Sequence, residues 1–483
     1  MVQINNWING KLVKSSSAIW LEKFNPHSGR KISDFINSSP NDIKKALTSA
    51  ESSFASWSQI TPVERGQVLT RIVANLKLRS LEMARCVARE TGKSLNDAKG
   101  EVNAAILQGE YFAGEGMRLY GRSLTSGMKG KTSFTSRQAH GVVGLIVPAN
   151  TPIANIAWKV FPALICGNSV ILKSSEDAPL TANLFAEICH SANIPHGILN
   201  ILHGDAAVGA ALVESSRIKL ISFTGSSRTG IKIAESAARS MKRISLELGG
   251  KNPFVVCDDA DIDKAVHWAT LSAFSNAGQR CASGSRIIVF EEIYELFKKK
   301  FVMKALSLKL GIEKDCDLGP LINKKSYRVV TEMLENINSN HGAILCGGSP
   351  VNLPRHLKGY YIPPTIIECF DQQASFNCQE IFAPVASLSK VKNLPEALAI
   401  ANASDYGLTA SIHTQSIDRG IWFASKVKAG LANINFGTYG SEPHMPFGGF
   451  GLSSNGSREP GVEALDVYSE LKNISILTRD SLI

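Results

Sequence analysis

No CxxC pair and no cysteine–histidine cluster at zinc-binding spacing occurs among the nine cysteines of this 483-residue chain. An odd, scattered set of this kind argues against a disulfide framework and a structural metal, and it suits a reducing compartment. An apolar signal core is missing as well: the opening stretch MVQINNWINGKLVKSSS is polar. The longest apolar stretch, Ile153 to Leu172, is interrupted by Lys159, Pro162 and Gly167 and falls short of a membrane span. The cytoplasm is the expected location. Basic residues outnumber acidic ones, 52 to 42, for a net charge of +10. Yet no basic stripe interleaved with aromatics accompanies the excess. The densest run, Lys298-Lys299-Lys300, shares its segment with Ile293, Leu296, Phe297 and Phe301 at helical spacing. Those lysines read as the solvated face of an amphipathic helix, which argues against nucleic-acid binding. Internal repeats and low-complexity linkers are also absent.

What is present is a globular composition, 44% hydrophobic and 19% charged, in a chain long enough for two or three domains. The spacing of Ile43, Leu47, Ala50 and Phe54 predicts a helix over Pro40–Trp57. Thr61-Pro62-Val63-Glu64 is a capping box with proline at the first helical position, opening a helix expected to run to Gly92. From Gly141 onward, short apolar runs at 142–147, 169–173, 199–203, 218–223 and 243–248 alternate with helical segments. That alternation predicts βαβ units, hence a doubly wound, nucleotide-binding α/β domain. A second α/β series opens at 252–257 and continues to about Asn435. Two polar segments, 124–138 and 466–482, read as strands outside both main sheets.

Four motifs carry candidate chemistry, each with a plainer alternative. ISFTGSSRTG (221–230) follows a strand and opens a helix. It is either a pyrophosphate turn at a helix N-terminus, with Gly225 and Ser226 at its centre, or an ordinary capped turn. ILKSSE (171–176) puts Lys173 and Glu176 at a strand's C-terminal end, as ribose ligands or as a surface ion pair. LELGGKNP (246–253) sets Glu247 beside two glycines, as a general base with room for a ligand or as a tight turn. FSNAGQRCAS (274–283) puts Cys281 among small polar neighbours, as a reactive thiol or as a buried packing cysteine; Cys189 and Cys257, in apolar runs, suit packing.

Together these segments resemble the aldehyde dehydrogenase superfamily. The resemblance runs from FNPHSGR (24–30) to VYSELK (467–472). It includes VPAN (147–150), LGPLIN (318–323), QEIFAPV (379–385), NASDYGLTA (402–410) and PFGGFGLSSNGSREPG (446–461), in order with the four motifs above. It implies a Rossmann-like cofactor domain, an α/β catalytic domain and a small β oligomerisation element. Their expected extents are 1–121 with 141–247, then 248–445, then 122–140 with 466–483. Cys281 matches the nucleophile, Asn150 the oxyanion donor and Glu247 the general base. Lys159 and Glu470 match a pair that relays protons. Val147, Pro148, Lys173, Ser175, Glu176, Gly225, Ser226, Gly230, Leu248, Gly249, Glu380 and Phe382 match cofactor-binding positions. Thr151, Asn155, Trp158, Arg280, Tyr439, His444 and Phe447 match the substrate pocket.

The implied reaction is oxidation of an aldehyde to a carboxylate through a thioester on Cys281, with no metal. Glu176 would repel a 2′-phosphate, which favours NAD⁺ over NADP⁺. Arg280 and His444 would favour a semialdehyde of a small carboxylic acid, unless Arg280 serves only a structural hydrogen bond. A CoA-acylating enzyme and a catalytically idle structural protein are the alternatives. Glu247, a base for water, argues against the first, and the intact Cys–Asn–Glu set argues against the second. A homodimer or homotetramer is expected. The departures from the family's pattern are Ala149 for a common tryptophan, Ser174 for proline, Ala383 for glycine and a lengthened 446–461 loop; none removes a catalytic group.

Overall fold

The structure is a computed structural model that describes residues 2–313, 315–349 and 358–478. Its first large sheet has seven strands. In spatial order they are Arg243–Glu247, Leu220–Thr224, Val142–Ile146, Ser169–Lys173, Leu199–Leu202, Asn6–Ile8 and Lys11–Val13. The first five are parallel; Asn6–Ile8 joins antiparallel to Leu199–Leu202. Their near-continuous Val, Ile and Leu content follows from burial on both faces. Helices including Pro152–Ile165, Pro179–Ser191 and Ser227–Ala238 connect them. The chain leaves Val142–Ile146 in one direction and later returns beside it as Leu220–Thr224. The order therefore reverses between these two strands, where a doubly wound sheet opens a crevice at its C-terminal edge.

A second seven-stranded sheet runs Gly342–Cys346, Thr365–Cys369, Val385–Val391, Arg286–Phe290, Pro253–Val256, Thr409–His413 and Leu431–Ile434. It is parallel except for the Gly342–Cys346 edge. The third element joins the two stray segments. Ser469–Leu477 pairs antiparallel with Lys131–Ala139 along its whole length, and Lys131–Ala139 pairs with Ser123–Leu124. The expected oligomerisation segment 466–483 thus contains a strand, while residues 479–483 lie outside the described residues.

Two features differ from the sequence reading. The helix expected from Thr61 to Gly92 is two helices, Pro62–Leu78 and Ser80–Thr91, broken at Arg79. The bend lets Leu76 and Met83 both bury while Leu78 stays exposed. The N-terminal strands between Val2 and Ile36 gave no signal, because most hold three to five residues. Among the described residues no helix is long and apolar enough to cross a membrane.

Candidate active site

The crevice at the strand reversal opens into a cavity of about 370 Å³. Two walls come from the first sheet's C-terminal edge: Pro148, Asn150 and Thr151 on one side, Gly225, Ser226 and Glu247 on the other. Cys281, Glu380 and Phe382 face them from the segments leading into strands Arg286–Phe290 and Val385–Val391. Asn155, Trp158 and Phe447 line the cavity, with Trp158 and Phe447 in edge-to-face contact at 5.2 Å. A roomier groove of about 770 Å³ lies elsewhere, beside Lys11, Lys44, Lys45 and His196, and holds none of these groups.

Unusual backbone delivers Cys281. Asn276, Ala277 and Gly278 are all left-handed, with φ of 54°, 53° and 66°. The first two carry a steric cost that the surroundings must hold in place. Gly278 is required, since a Cβ there would sit 2.1 Å from the Ala383 carbonyl oxygen. Gly250 is required for the same reason: its Cβ would lie 2.4 Å from the Cys281 carbonyl oxygen. Burial pushes the Cys281 thiol up to about 12, and the Glu380 and Glu247 carboxylates add to the shift. The backbone N–H groups of Ala282 and Cys281 oppose it. The resting sulphur is a neutral thiol that must lose its proton to become a nucleophile.

Asn150 lies across from it. Its Nδ2 donates to the Gln279 carbonyl at 3.1 Å, and its Oδ1 accepts from Asn155 Nδ2 at 3.3 Å. One amide N–H is thereby engaged and the other is left over for the cavity.

Glu247 ends the edge strand Arg243–Glu247. Its carboxylate is buried, and neither oxygen has a hydrogen-bond partner among the described residues. Burial first, and the nearby Glu459 second, raise it well above the ordinary carboxylate range; Lys159, Arg458 and the hydroxyl of Ser454, close enough to interact though not within full hydrogen-bond geometry, oppose the shift. A buried carboxylate beside a cavity, with no strong hydrogen bond to hold its charge, is poised to accept a proton.

Behind Glu247 lies a buried polar network, and here one expected pairing fails. Glu470 is not the partner of Lys159. It lies on the exposed strand Ser469–Leu477, 3.4 Å from His140 and 3.9 Å from Arg243. Lys159 Nζ instead meets Glu459 Oε2 at 2.9 Å and donates to Ser222 Oγ at 2.7 Å. Ser222, Ser245 and Tyr468 all donate to Glu459 Oε1, at 3.0, 2.6 and 3.1 Å. The physical reason is burial: only Glu459, at 0% exposure, reaches the sheet interior where Lys159 sits.

Cofactor-matched residues divide into two groups. Ser226 caps helix Ser227–Ala238, accepting from the Thr229 N–H, so that helix's free N–H groups face the cavity beside Gly225. Glu380 accepts the Gly250 N–H at 3.1 Å, and burial raises it to about 7. A Cβ on Gly249 would lie 2.3 Å from the Glu380 carboxylate, so that glycine is what lets Glu380 in. Leu248 and Phe382 complete this wall, Phe382 with a left-handed φ of 59°. The helix N-terminus beside Gly225 and Ser226, Leu248, Gly249, Glu380, Phe382 and the Cys281 thiol thus line one cavity. Further along the sheet edge, Lys173 and Glu176 pair at 3.2 Å, next to Val147, whose N–H donates to the Lys173 carbonyl. Ser175 turns inward on its own loop, its Oγ accepting from the Asp177 N–H. Gly230 does not face the cavity. It lies within the helix, where a Cβ would strike Leu248 at 2.6 Å, so its place is helix–strand packing.

The substrate-matched residues divide too. Thr151, Asn155, Trp158 and Phe447 line the cavity, and Tyr439 packs in the same apolar cluster as Cys281. Arg280 stacks its guanidinium on Tyr439 at 4.9 Å, and its buried Nε has no partner among the described residues. His444 is exposed, and its nearest carboxylate, on Glu442, lies 4.0 Å away. Sequence reasoning missed Glu459, although it stands inside the quoted SREPG segment, and missed Lys93, Glu101 and Asn276, which surround Asn150.

Known proteins resemble this chain along almost its whole length. The model of the aldehyde dehydrogenase family matches residues 12–474. The alpha-ketoglutaric semialdehyde dehydrogenase of Bacillus subtilis (strain 168) is 36% identical over 475 residues, covering 98% of this chain and 97% of that protein. The crystal structure of PnpE from Pseudomonas sp. WBC-3 superposes with a TM-score of 0.96 at 31% identity, covering 100% of this chain and 99% of that one. Betaine aldehyde dehydrogenase from Staphylococcus aureus, solved in complex with NAD⁺, superposes with a TM-score of 0.96 at 30% identity, covering 99% and 95%.

Proposed function

Since this chain belongs to the aldehyde dehydrogenase family and is an NAD(P)-dependent oxidoreductase acting on aldehydes, we propose that Cys281, Asn150 and Glu247 carry out its chemistry. The observation that supports this most is that one cavity holds the thiol, the amide and an unpartnered buried carboxylate. On this reading the Cys281 thiol loses its proton to solvent water, and the thiolate sulphur attacks the aldehyde carbon. The oxygen becomes an alkoxide, held by the spare Asn150 N–H and the Cys281 backbone N–H, each donor contributing on the order of 3 kcal/mol. NAD⁺, when bound, supplies the hydride acceptor. Loss of hydride leaves a thioester on Cys281. Glu247 takes a proton from water as its oxygen attacks the thioester carbon, and the Cys281 thiolate departs, releasing the carboxylate product.

Residues 1–121 and 141–247 would hold the cofactor. Gly225 and Ser226 would meet the pyrophosphate, Lys173 and Glu176 the adenosine ribose, and Glu380 and Phe382 the nicotinamide ribose. Residues 248–445 would carry catalysis. The strands in 122–140 and 466–483 would join subunits into a dimer or tetramer. Nine free cysteines suit a cytoplasmic location.

The substrate on this reading is a semialdehyde of a small carboxylic acid. Arg280 directly precedes the nucleophile in the chain but lies outside the cavity lining, stacked on Tyr439; swung off that ring, its guanidinium would take a substrate carboxylate. His444, exposed beside Glu442, has no part in this. NADH formation from a panel of semialdehydes and uncharged aldehydes of equal length, with and without CoA, tests the proposal. The carboxylate-bearing substrates are expected to give the highest kcat/KM without CoA. Arg280→Ala should raise their KM on the order of tenfold, leaving uncharged aldehydes unchanged. Equal KM for Arg280→Ala and the parent enzyme on every semialdehyde would remove the carboxylate reading.

A further inference from the structure

Asn150 is held by more than its own loop. Its main-chain carbonyl accepts from Lys93 Nζ at 2.7 Å and from Asn276 Nδ2 at 3.3 Å. Lys93 also pairs with Glu101 at 2.6 Å, and both side chains are almost wholly buried, at 3% and 4% exposure. The other Glu101 oxygen accepts the N–H of Ile153 at 2.9 Å and of Ala154 at 3.4 Å. These are free N–H groups in the first turn of helix Pro152–Ile165, whose N-cap residue Thr151 makes no side-chain cap. One ion pair thus grips both ends of the segment that carries Asn150. It takes the carbonyl of Asn150 with the cation and the start of the following helix with the anion. Neither charged residue lines the cavity, so neither meets the substrate.

Stability alone is a poor reason for such a pair. Withdrawing two charges from water costs several kcal/mol, and well-packed apolar side chains of similar volume often serve a core as well. What an apolar pair cannot do is aim directional hydrogen bonds at a chosen carbonyl and two chosen N–H groups. An oxyanion donor has to be placed within about half an ångström to be effective.

We propose that Lys93 and Glu101 are positioning residues that hold the Asn150 amide in register with the Cys281 sulphur. The inference rests on Asn150 being the oxyanion donor, and it adds the side chains that set the donor's position.

The test is a double-mutant cycle read on the single-turnover rate of NADH formation. Asn150→Ala should lower that rate roughly 10²- to 10³-fold. Lys93→Met with Glu101→Gln, which removes both charges together, should lower it roughly 10- to 100-fold with NADH affinity unchanged. Joined to Asn150→Ala, the pair variant should cost no more than about threefold further, because its effect passes through the missing amide. Where the pair variant does not accumulate, Glu101→Gln alone enters the same cycle, with a smaller loss and the same lack of additivity. A pair variant that keeps the parent rate, or one whose loss multiplies fully with that of Asn150→Ala, overturns the positioning role. A near-parent rate in Asn150→Ala itself would instead overturn the oxyanion assignment.

Discussion

On the proposed roles, the Glu247 carboxylate sets the acid limb of the hydrolytic step. Glu247 must be ionised to take a proton from water, and burial together with Glu459 raises its pKa well above 4.5. Hydrolysis should therefore be complete on the alkaline side and fall as pH drops through that raised value. The acid limb of kcat is expected well above the ordinary carboxylate range, and an inflection near 4.5 would contradict the buried-base assignment. On the proposed roles, Glu176 bears on the choice between NAD⁺ and NADP⁺. Its exposed carboxylate pairs with Lys173, where a 2′-phosphate would meet like charge. Glu176→Gln should raise kcat/KM for NADP⁺ on the order of tenfold, moderated by solvent screening and measured against NAD⁺. Cys281 and Glu247 stand out in the sequence because small, polar or glycine neighbours are wrong for packing. Glu459 does not. It meets Lys159 across 300 residues of sequence, and local pattern does not say which of two downstream glutamates turns inward.

At the scale of elements, the turn that carries the nucleophile is the least legible part of the site. FSNAGQRC shows a glycine and an asparagine, both compatible with left-handed backbone, but nothing in it announces that Ala277 joins them. The turn is held from within by Asn276 on the Gln279 carbonyl, and from outside by the Asn150 carbonyl, which accepts from Asn276, and by the close approach of the Ala383 carbonyl to Gly278. Gly278→Ala should cost at least about 2 kcal/mol, from left-handed strain plus the clash. It should lower Tm by several degrees in thermal unfolding. A Tm equal to the parent's would mean that the turn can be built another way. The parallel strands, by contrast, were readable, since burial on both faces enforces unbroken apolar runs. Strands of three residues near the N-terminus are too short to show any period.

For the whole molecule, the sheet that joins Lys131–Ala139 to Ser469–Leu477 leaves Leu471, Ile476 and Leu477 exposed on one strand. If that strand joins subunits, Leu471→Arg with Ile476→Arg should shift the mass measured by light scattering toward the monomer while the fold persists. An unchanged mass would place the contact elsewhere. The pairing of these two segments was not readable from either alone, because each is polar and alternates weakly. The central claim spans the whole molecule too, since the cavity takes Asn150 and Glu247 from the first sheet and Cys281 from the second. Its most direct test is the intact mass of Glu247→Gln after mixing with NAD⁺ and an oxidisable aldehyde. The account predicts one equivalent of NADH released in a burst, steady turnover lowered roughly 10²-fold or more, and an acyl adduct that maps to Cys281. A burst with no adduct on Cys281, or full turnover by Glu247→Gln, would contradict it.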